Sequence, residues 1–559
     1  MAGPSFSPEI WRLVFENLNS TQDIYNICLV CRSFKTIATP LLYRSLTVIP
    51  NPRSSPDQQD ARVDEHIIER LESDEQDKTF RLRHWVQEVT FAPSLFFAPH
   101  YSGRDRGFDR SQFIQQSDHP ITVLSHLPNL RRITLTIPQL QSAELIDLVT
   151  EHPRKPEIIL SLHCFFEYEF AERIKRWDEN DTKDETLRLL LSRVVGLDIS
   201  VDPFYEERPF MLGHGPNERI LTVQKLSFSC PSLRTFTLSL FGNYGGCVEI
   251  VPWFPLIDSF RLTGTEVFPP LEELALNGYN MRKNEWPYWR DGLDWSRLKA
   301  LTLGPQDSFG LLGRLAGYAT SLKVLRVYCY EDEAEYKDRK GLSRFLRSFG
   351  TLRTLELRGY ICAIGAIAHH RNLLSLCLHE DESSRAGYRN RRRVLTVEEL
   401  DLLDKQCPDL RVLEVGIRRK DELPLGILTK LATSFKNLHC LSLHFELGIL
   451  DREPIMPTLS LATARSIGQM MFDLRRQCGF MNTTSSNPYP FKLTLWTGRA
   501  YRRYPQMPPR FDSWELKFTN TYEVQLPVNK KDGDNEVEVR LTKGQGLDPD
   551  IRRSETPDL

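Results

Sequence analysis

The sequence predicts an α/β protein, in which a small N-terminal bundle of three helices precedes an irregular, curved solenoid of strand–helix units. Two observations indicate this fold class. Helical start signals recur within the first 46 residues, and an L-x-x-L-x-L phrase recurs from about residue 86 onward, with helically spaced stretches between its copies. At 559 residues the chain is long enough for such an array.

The first two helices are indicated by their N-terminal signals. Pro8 and Glu9 suit a first helical turn, which tolerates a missing N–H and favours negative charge. A helix over residues 8–18 follows. Ser20 and Asp23 have the spacing of a capping box, with Asp in place of the usual Glu or Gln, so a second helix should begin there.

A third, shorter helix is expected over Arg32–Ala38. Pro40 should close it, because the residue before a proline is biased away from the helical conformation. Cys28 and Cys31 form a C-x-x-C motif that we place in the middle of the second helix. With no second C-x-x-C to complete a zinc set, core packing is the favoured interpretation and a metal the alternative.

These helices carry more apolar surface than they can bury. About half of residues 6–46 are apolar, against 40% for the whole chain. On a helical wheel the apolar residues of the first helix spread over roughly 200°, about twice the stripe of an ordinary surface helix. A unit of about 40 residues without disulfides rarely folds alone. The surplus therefore predicts a partner.

The same residues resemble the F-box, the helical module that binds the Skp adaptor subunit of Skp-cullin-F-box ubiquitin ligases. The motif's P-E-I, its first helix, its L-V-C-R-x-F core and a fungal-type exit correspond in order to Pro8–Ile10, Leu13 with Val14 and Leu18, Leu29–Arg32 with Phe34, and Pro40–Arg44. Phe6-Ser7 stands where the family has L-P.

The resemblance covers only the N-terminal module, and an ordinary helical cap on a larger domain is the alternative. It implies that the module binds the Skp subunit and, through it, a cullin ligase core. The implied contact residues are Phe6, Pro8, Glu9, Ile10, Leu13, Val14, Leu18, Ile24, Ile27, Leu29, Val30, Cys31 and Phe34.

Repetition organises the rest of the chain. Clear copies of the leucine phrase begin at Leu130, Leu233, Leu271, Leu298, Leu322, Leu352, Leu373, Leu410 and Leu438, and weaker ones at Val86 and Val194. The last two apolar residues of each copy are two apart and share one face of a strand. Helices are expected between copies, for example over 341–349 and 397–405. A single unit cannot bury its own strand face, so neighbours must stack.

This pattern resembles a degenerate leucine-rich repeat array, because regular repeats keep to about 20–29 residues and these spacings wander. A further strand is expected at Ile257, Phe260 and Leu262, too close to Leu271 to be a full repeat. The alternative is a globular α/β domain that is rich in leucine.

Composition changes suggest the domain boundaries. We expect the F-box module over 1–49, a linker with the first helix of the array (Glu65–Leu71) over 50–80, the substrate-binding array over 81–480, a C-terminal cap over 481–543 and a disordered tail over 544–559. Within the cap, Trp514–Phe518, Glu523–Leu526 and Val537–Leu541 alternate like short strands, and a hairpin there could cover the open end of the array.

The outward strand positions would form the surface for a client protein. The candidate contacts are Arg326, Tyr328, Glu356, Arg358, His379, Glu414 and His444, with Thr354 and Ser442 beside them. An ordinary solvated sheet face would look the same. The basic run Arg389, Arg391, Arg392 and Arg393 is either a nuclear signal, a phosphate contact or, as we favour, a solvated loop.

Several function classes lack support. The net charge of −2 gives no overall attraction to nucleic acid or membrane, and no apolar run would span a bilayer. The N-terminus carries no secretory signal, so we expect an intracellular protein, in the cytoplasm, the nucleus or both. No nucleotide-binding, zinc-protease or hydrolase motif occurs. We therefore expect no enzyme activity, cofactor or metal.

The resulting hypothesis is a substrate-recognition adaptor that holds the Skp subunit through its N-terminal helices and a client through its array. Two alternatives stay open. The complex could act as a scaffold without ubiquitin transfer, or the chain could be an enzyme with an unrecognised site.

Overall fold

The computed structural model describes residues 6–18, 20–48, 82–91, 118–136, 140, 142–163, 169–177, 184–201, 217–240, 260–279, 281, 284–304, 308–329, 339–380, 382, 392–419, 422–449, 453–456, 458–480, 491–498, 518–526 and 536–543. The chain divides into two compact units, Met1–Leu271 and Glu272–Leu559. The expected helix Glu65–Leu71 and the expected tail 544–559 lie outside the described residues.

The first unit alternates helices with strands. Its helices are α1 (Pro8–Glu16), α2 (Thr21–Cys28), α3 (Arg32–Leu42), α4 (Leu82–Trp85), α5 (Asp118–Ser125), α6 (Ala143–Glu151), α7 (Glu169–Arg176), α8 (Glu185–Ser192) and α9 (Asn217–Phe228). Its strands are β1 (Ser45–Val48), β2 (Glu88–Phe91), β3 (Arg132–Thr136), β4 (Glu157–His163), β5 (Val194–Val201) and β6 (Thr235–Leu240), which pair in parallel in chain order.

The second unit continues the same alternation. Its helices are α10 (Trp286–Gly292), α11 (Ser308–Leu315), α12 (Arg339–Arg347), α13 (Ile364–Ile367), α14 (Val397–Gln406), α15 (Leu425–Thr433) and α16 (Leu461–Gln477), with a 3₁₀ turn at Trp295–Arg297. Its strands are β7 (Glu273–Asn277), β8 (Ala300–Leu303), β9 (Val324–Tyr328), β10 (Thr354–Arg358), β11 (Ser375–His379), β12 (Val412–Ile417), β13 (Cys440–Phe445), β14 (Lys492–Thr497), β15 (Thr521–Gln525) and β16 (Glu538–Lys543).

Strands β7 to β14 pair in parallel in chain order, whereas β15 and β16 pair antiparallel. The parallel strands from β3 onward bury their leucines: Leu355 and Leu357 of β10, for example, are 0% and 1% exposed. Thr354, Glu356 and Arg358 point to the other face and are half-buried. The α/β fold class, with N-terminal helices before a solenoid-like run of parallel strands, is confirmed.

A repeated hydrogen-bond pattern joins neighbouring strand–helix repeats. The carbonyl of the residue just before a strand accepts the N–H groups of two residues at the start of the next strand. Arg44 thus accepts from Gln87 and Glu88, and Gln87 accepts in turn from Arg131 and Arg132. Since Arg44 directly follows α3 and its C-cap, the strand ladder begins at the end of the helical module, at a strand that the leucine phrase did not predict.

The third helix is longer than expected. It runs to Leu42 with Pro40 inside it, so the prediction that Pro40 closes the helix was wrong. The last turn survives because Tyr43 N–H bonds to the Thr39 carbonyl and Arg44 N–H to that of Leu41. Proline removes one donor near the C-terminal end, where few further bonds depend on it.

The C-x-x-C pair is also placed differently. Cys28 ends α2 and Cys31 is the N-cap of α3, so neither lies in mid-helix. The Cys31 sulfur accepts the N–H of Phe34 at 3.4 Å. Within the described residues, no group of three or more Cys, His, Asp or Glu side chains is placed to hold a metal ion.

The strand expected around Ile257, Phe260 and Leu262 does not form in its described part. Phe260 and Leu262 are buried but lie outside any strand, and Ile257 is not described. The side-chain amide of Gln224 on α9 takes the place of a strand partner. It donates to the Arg261 carbonyl at 3.0 Å and accepts from the Arg261 N–H at 2.7 Å.

At the C-terminal end, β15 and β16 correspond to the expected strands Glu523–Leu526 and Val537–Leu541. The expected strand Trp514–Phe518 lies outside the described residues except for Phe518, which is not in a strand. The helices expected over 341–349 and 397–405 are confirmed as α12 and α14. Helix α14 has a full capping box between Thr396 and Glu399.

Candidate protein-interaction surfaces

The helical module has a small aromatic core. The ring of Phe34 on α3 lies 4.7 Å from that of Trp11 and 5.3 Å from that of Phe15, both on α1. Phe15 and Ala38 are only 2% and 0% exposed. Trp11 and Phe15 are four residues apart and therefore share one face of α1, which lets both rings contact Phe34.

Outside this core the module exposes a group of apolar side chains that we call the N-terminal apolar patch. It comprises Phe6, Ile10, Leu13, Val14, Tyr25, Leu29 and Val30, which are 44% to 68% exposed. Nearly half of the large apolar side chains exposed in the described part of the chain belong to it. Such a concentration of exposed apolar surface is typical of an interaction site.

The predicted Skp-binding residues divide into two groups. Those that are exposed are Phe6, Pro8, Glu9, Ile10, Leu13, Val14, Leu29, Val30 and Cys31. Those that are half-buried are Leu18, Ile24, Ile27 and Phe34. Phe34 in particular belongs to the aromatic core, so it supports the shape of the module. Tyr25 of the patch was missed, because its neighbours Ile24 and Ile27 define the apolar stripe of α2.

The start of α1 is held without the proline that the F-box motif has at position 7. The Ser7 carbonyl accepts the N–H groups of Ile10 and Trp11 at 3.1 and 3.2 Å. The Phe6 ring packs edge-on against Trp11 at 5.6 Å. Hydrogen bonds from its own N–H and from the Ser7 hydroxyl lower the pKa of the exposed Glu9 carboxyl.

The module is fastened to the first strands of the sheet. Tyr43 stacks on Trp85 at 6.5 Å between ring centres, and Arg44 forms an ion pair with Glu88 at 3.6 Å. Strand β1 follows directly and pairs with β2. Removing residues 45–48 would therefore remove a strand as well as the end of the module.

The second candidate surface is a row of charged side chains on the outward face of β9, β10 and β12. Glu356 lies 3.5 Å from Arg326 and 2.7 Å from Arg358, and Arg358 also reaches Glu414 at 2.9 Å. We call Arg326, Glu356, Arg358 and Glu414 the ion-pair row. Tyr328 is half-buried beside it, opposite Arg358 in the strand register. Five of the seven predicted client contacts therefore lie together.

The other two predicted contacts are not exposed as expected. His379 and His444 are 0% and 1% exposed. Their rings pack on one another at 4.5 Å and on Trp496 of β14 at 5.2 and 4.1 Å. They do point to the outward face, but Trp496 and residues after β11 cover them. Their predicted role as exposed client contacts is corrected accordingly.

Arg392 and Glu382 cover this histidine pair. Arg392 donates to Nδ1 and to the carbonyl of His444, and to the carbonyl of Ile417 at 2.6 Å. Glu382 accepts three backbone N–H groups from residues 447–449 at 2.7 to 3.2 Å.

The basic run is structural where it is described. Arg392 is 5% exposed. Arg393 donates to the carbonyls of Ile361 and Cys362 and pairs with Glu399 at 2.5 Å. The solvated-loop interpretation is therefore wrong for these two residues, while Arg389 and Arg391 lie outside the described residues.

A family model described as F-box-like matches residues 8–49. The chain carries an F-box-like domain. The match contains α1 to α3 and β1, and the N-terminal apolar patch lies on it apart from Phe6, which precedes it. The F-box resemblance of the N-terminal helices is thereby confirmed.

No curated protein matches the chain. Among solved structures, the complex of Rad7 and Elc1 in yeast is similar at 14% identity with a TM-score of 0.33, covering 78% of this chain and 88% of that chain. The complex of TLR13 with ssRNA13 is similar at 15% identity with a TM-score of 0.27, covering 64% of this chain and 39% of that one. No helix of the described residues has the length and apolar composition needed to cross a bilayer.

Proposed function

We propose that this chain is the substrate-recognition adaptor of a Skp-cullin-F-box E3 ubiquitin ligase. The observation that carries the proposal is the N-terminal apolar patch on the F-box-like domain. Its side chains are exposed in the chain alone, and burying apolar surface contributes about 25 cal/mol per Å². A Skp subunit is the partner that an F-box implies, and the patch offers the apolar core that such an interface needs.

The client is proposed to bind at the ion-pair row. Arg326, Glu356, Arg358 and Glu414 are held by one another before any partner arrives, so binding would order few side chains. Alternating charges on a half-buried face favour a protein ligand with complementary charges. Tyr328, beside the row, supplies an aromatic contact of the kind enriched at interfaces.

The proposed mechanism is tethering. The F-box-like domain binds the ligase core, and the strand face holds the client near the ubiquitin-conjugating enzyme. Raised effective concentration then accelerates transfer without a catalytic residue in this chain.

Binding of the Skp subunit is tested with Leu13→Asp in the full chain. Leu13 is 60% exposed, so the substitution should leave the fold intact but place a carboxylate in the interface. We expect the Kd for a purified Skp subunit to rise about tenfold or more. The matched control is Leu425→Asp, since Leu425 is 58% exposed on α15 of the other unit. Equal Kd values for both variants would refute the proposed contact.

Clients are best sought with the same point variant, because a deletion of the first 50 residues would also remove β1. Proteins captured by both wild type and Leu13→Asp, and lost with Arg326→Glu, are candidate clients. Arg297→Glu, an exposed change outside the row, is the control. If the cullin subunit co-precipitates but a client shows no ubiquitin transfer in the reconstituted complex, the chain is a scaffold and the proposal fails.

A further inference from the structure

Ser7 directly precedes the first helix of the F-box-like domain and is followed by a proline. The sequence has four Ser-Pro or Thr-Pro pairs, which begin at Ser7, Thr39, Ser55 and Thr556. The structure describes the first two of them. Proline-directed protein kinases recognise such pairs and bind them in an extended, accessible backbone. The local conformation therefore decides which pair a kinase can use.

Ser7 meets both requirements. Its side chain is exposed, and its backbone is extended, with φ −64° and ψ 155°. Its side chain caps no backbone N–H group of α1. The hydroxyl donates instead to the carboxylate of Glu9, which is itself exposed. No buried contact has to break before this hydroxyl can react.

Thr39 has the same kind of pair in a conformation that a kinase cannot use. Thr39 and Pro40 both lie within α3 and are half-buried. The Thr39 hydroxyl donates to the carbonyl of Lys35 at 2.6 Å and lies 4.0 Å from the sulfur of Cys28. Phosphorylation at Thr39 would require α3 to unwind. The same domain thus contains a matched control for Ser7.

Ser7 also lies beside the surface proposed to bind the Skp subunit. Phe6 and Ile10 of the N-terminal apolar patch, one before Ser7 and one after it, are 54% and 44% exposed. A phosphoryl group at Ser7 would add a charge of about −1.5 to −2 next to Phe6 and near the Glu9 carboxylate. An apolar interface that closes over such a group must remove its water, which opposes binding.

We propose that Ser7 is a phosphorylation site that switches off binding of the Skp subunit. The phosphoryl donor is ATP. The Ser7 Oγ attacks the γ-phosphorus, the bond from this phosphorus to the oxygen that bridges to the β-phosphate breaks, and ADP leaves. The hydroxyl proton passes to the catalytic base of the kinase. The inference rests on the proposed function, since it concerns regulation of the same surface.

The first experiment maps the phosphate. The full chain is incubated with Mg-ATP and a mitogen-activated protein kinase, and the modified residues are identified by mass spectrometry. Ser7 should be phosphorylated, whereas Thr39 should not be, because its pair is helical and half-buried. Absence of phosphate from Ser7, or equal amounts on Ser7 and Thr39, would overturn the assignment.

The second experiment measures the Kd of the full chain for a purified Skp subunit before and after kinase treatment. Phosphorylation should raise the Kd about tenfold or more, and a phosphatase should restore it. The control is Ser7→Ala, which keeps Ser55 and Thr556 available to the kinase. Its Kd should not respond to kinase treatment, and a rise equal to that of the wild type would place the effect at another residue and refute the inference.

Hydrogen exchange separates a blocked interface from an unfolded helix. Negative charge is favoured beside a first helical turn, so peptides covering residues 8–16 should exchange no faster after phosphorylation. Faster exchange would refute the blocked interface. If the unmodified chain binds the Skp subunit and the phosphorylated chain binds it equally well, only the inference fails. If the unmodified chain does not bind the Skp subunit, the proposed function fails and the inference fails with it.

Discussion

Arg392 donates a hydrogen bond to Nδ1 of His444, although 52 residues separate them in the sequence. Because a guanidinium can only donate, Nδ1 must accept, and the proton of the neutral ring sits on Nε2. That nitrogen lies 2.6 Å from the Gly498 carbonyl, to which it donates. Burial, followed by the positive charge of Arg392, lowers the pKa of His444 well below its usual value.

The first prediction concerns pH. Burial lowers the pKa of His370 from 6.5 to about 4, and His444 shifts in the same direction. Both histidines take up a proton more readily in the unfolded chain, so the free energy of unfolding is highest above pH 6.5 and falls as the pH drops below it. Each contributes up to about 1.4 kcal/mol per pH unit. Urea unfolding between about pH 7.5 and about pH 5 measures the slope.

The variant that tests this prediction is His370→Phe, because phenylalanine has a ring of similar size that does not titrate. In the wild type the rings of His370 and Phe349 lie 5.1 Å apart, and the new ring should pack against Phe349 in the same way. Burial raises the pKa of Glu382, so this residue makes the free energy of unfolding rise as the pH falls. That contribution is common to both proteins, so the variant should lose pH dependence relative to wild type. An unchanged slope between pH 6.5 and about pH 5 would contradict a buried neutral His370.

The second prediction concerns the end of α15. Arg475 of α16 is 1% exposed and donates to the carbonyls of Ala432, Ser434, Phe435 and Leu438 at 3.3 to 3.4 Å. Ala432 belongs to the last turn of α15 and Ser434 is its C-cap, whereas Phe435 and Leu438 lie in the turn that follows. Arg475→Met should lower the free energy of unfolding by about 3 kcal/mol or more, because several buried acceptors lose their donor. Chemical unfolding measures this loss.

Arg476, the next residue, is the matched control. It is half-buried and pairs with Asp473 at 3.2 Å on the same helix. Arg476→Met should cost about 0.5 kcal/mol or less, because an ion pair that solvent reaches contributes little. Similar losses in the two variants would show that the carbonyl contacts of Arg475 are not what stabilises this end of α15.

The third prediction tests how α16 packs on the sheet. A Cβ atom at Gly468 would lie 2.5 Å from a methyl group of Val524 on β15. Gly468→Ala should therefore destabilise the chain by about 1–3 kcal/mol through overpacking. At Gly426 on α15 a Cβ atom would have no neighbour within 4 Å. Gly426→Ala should be neutral or stabilising, since alanine favours the helix, and opposite signs in thermal melts would confirm the packing.

The fourth prediction separates the core of the F-box-like domain from its surface. Phe34→Ala removes a ring that contacts Trp11 and Phe15, and should destabilise the module by about 2 kcal/mol or more. Leu29 is 68% exposed, so Leu29→Ala should change stability by less than about 0.5 kcal/mol. Hydrogen exchange of peptides covering residues 8–42 should speed up only for Phe34→Ala. Faster exchange in both variants would argue that Leu29 also belongs to the core.

The strands that the leucine phrase missed show the limits of that pattern. β14 has Leu493 and Leu495 at the expected spacing, but Pro490 stands where the phrase has its first leucine. In β4, before Ile158 and Leu160, that position is Lys155, which adopts a positive φ of 49°. In both, neighbouring strands impose pairing that the local sequence only partly encodes.

The sequence alone determined the features that depend on near neighbours along the chain. Alternating leucines defined the buried strand face, the capping box of α14 set its start, and the apolar surplus of residues 6–46 indicated an exposed patch. Each follows from helix or strand periodicity within a few residues.

Tertiary structure alone decided which outward residues are accessible. Glu356 and His379 both point away from the leucine face, yet Glu356 stays half-buried in the ion-pair row while His379 is fully buried against Trp496 and His444. The covering groups come from distant parts of the sequence. Strand periodicity fixes the direction of a side chain, whereas its exposure depends on what the rest of the chain places above it.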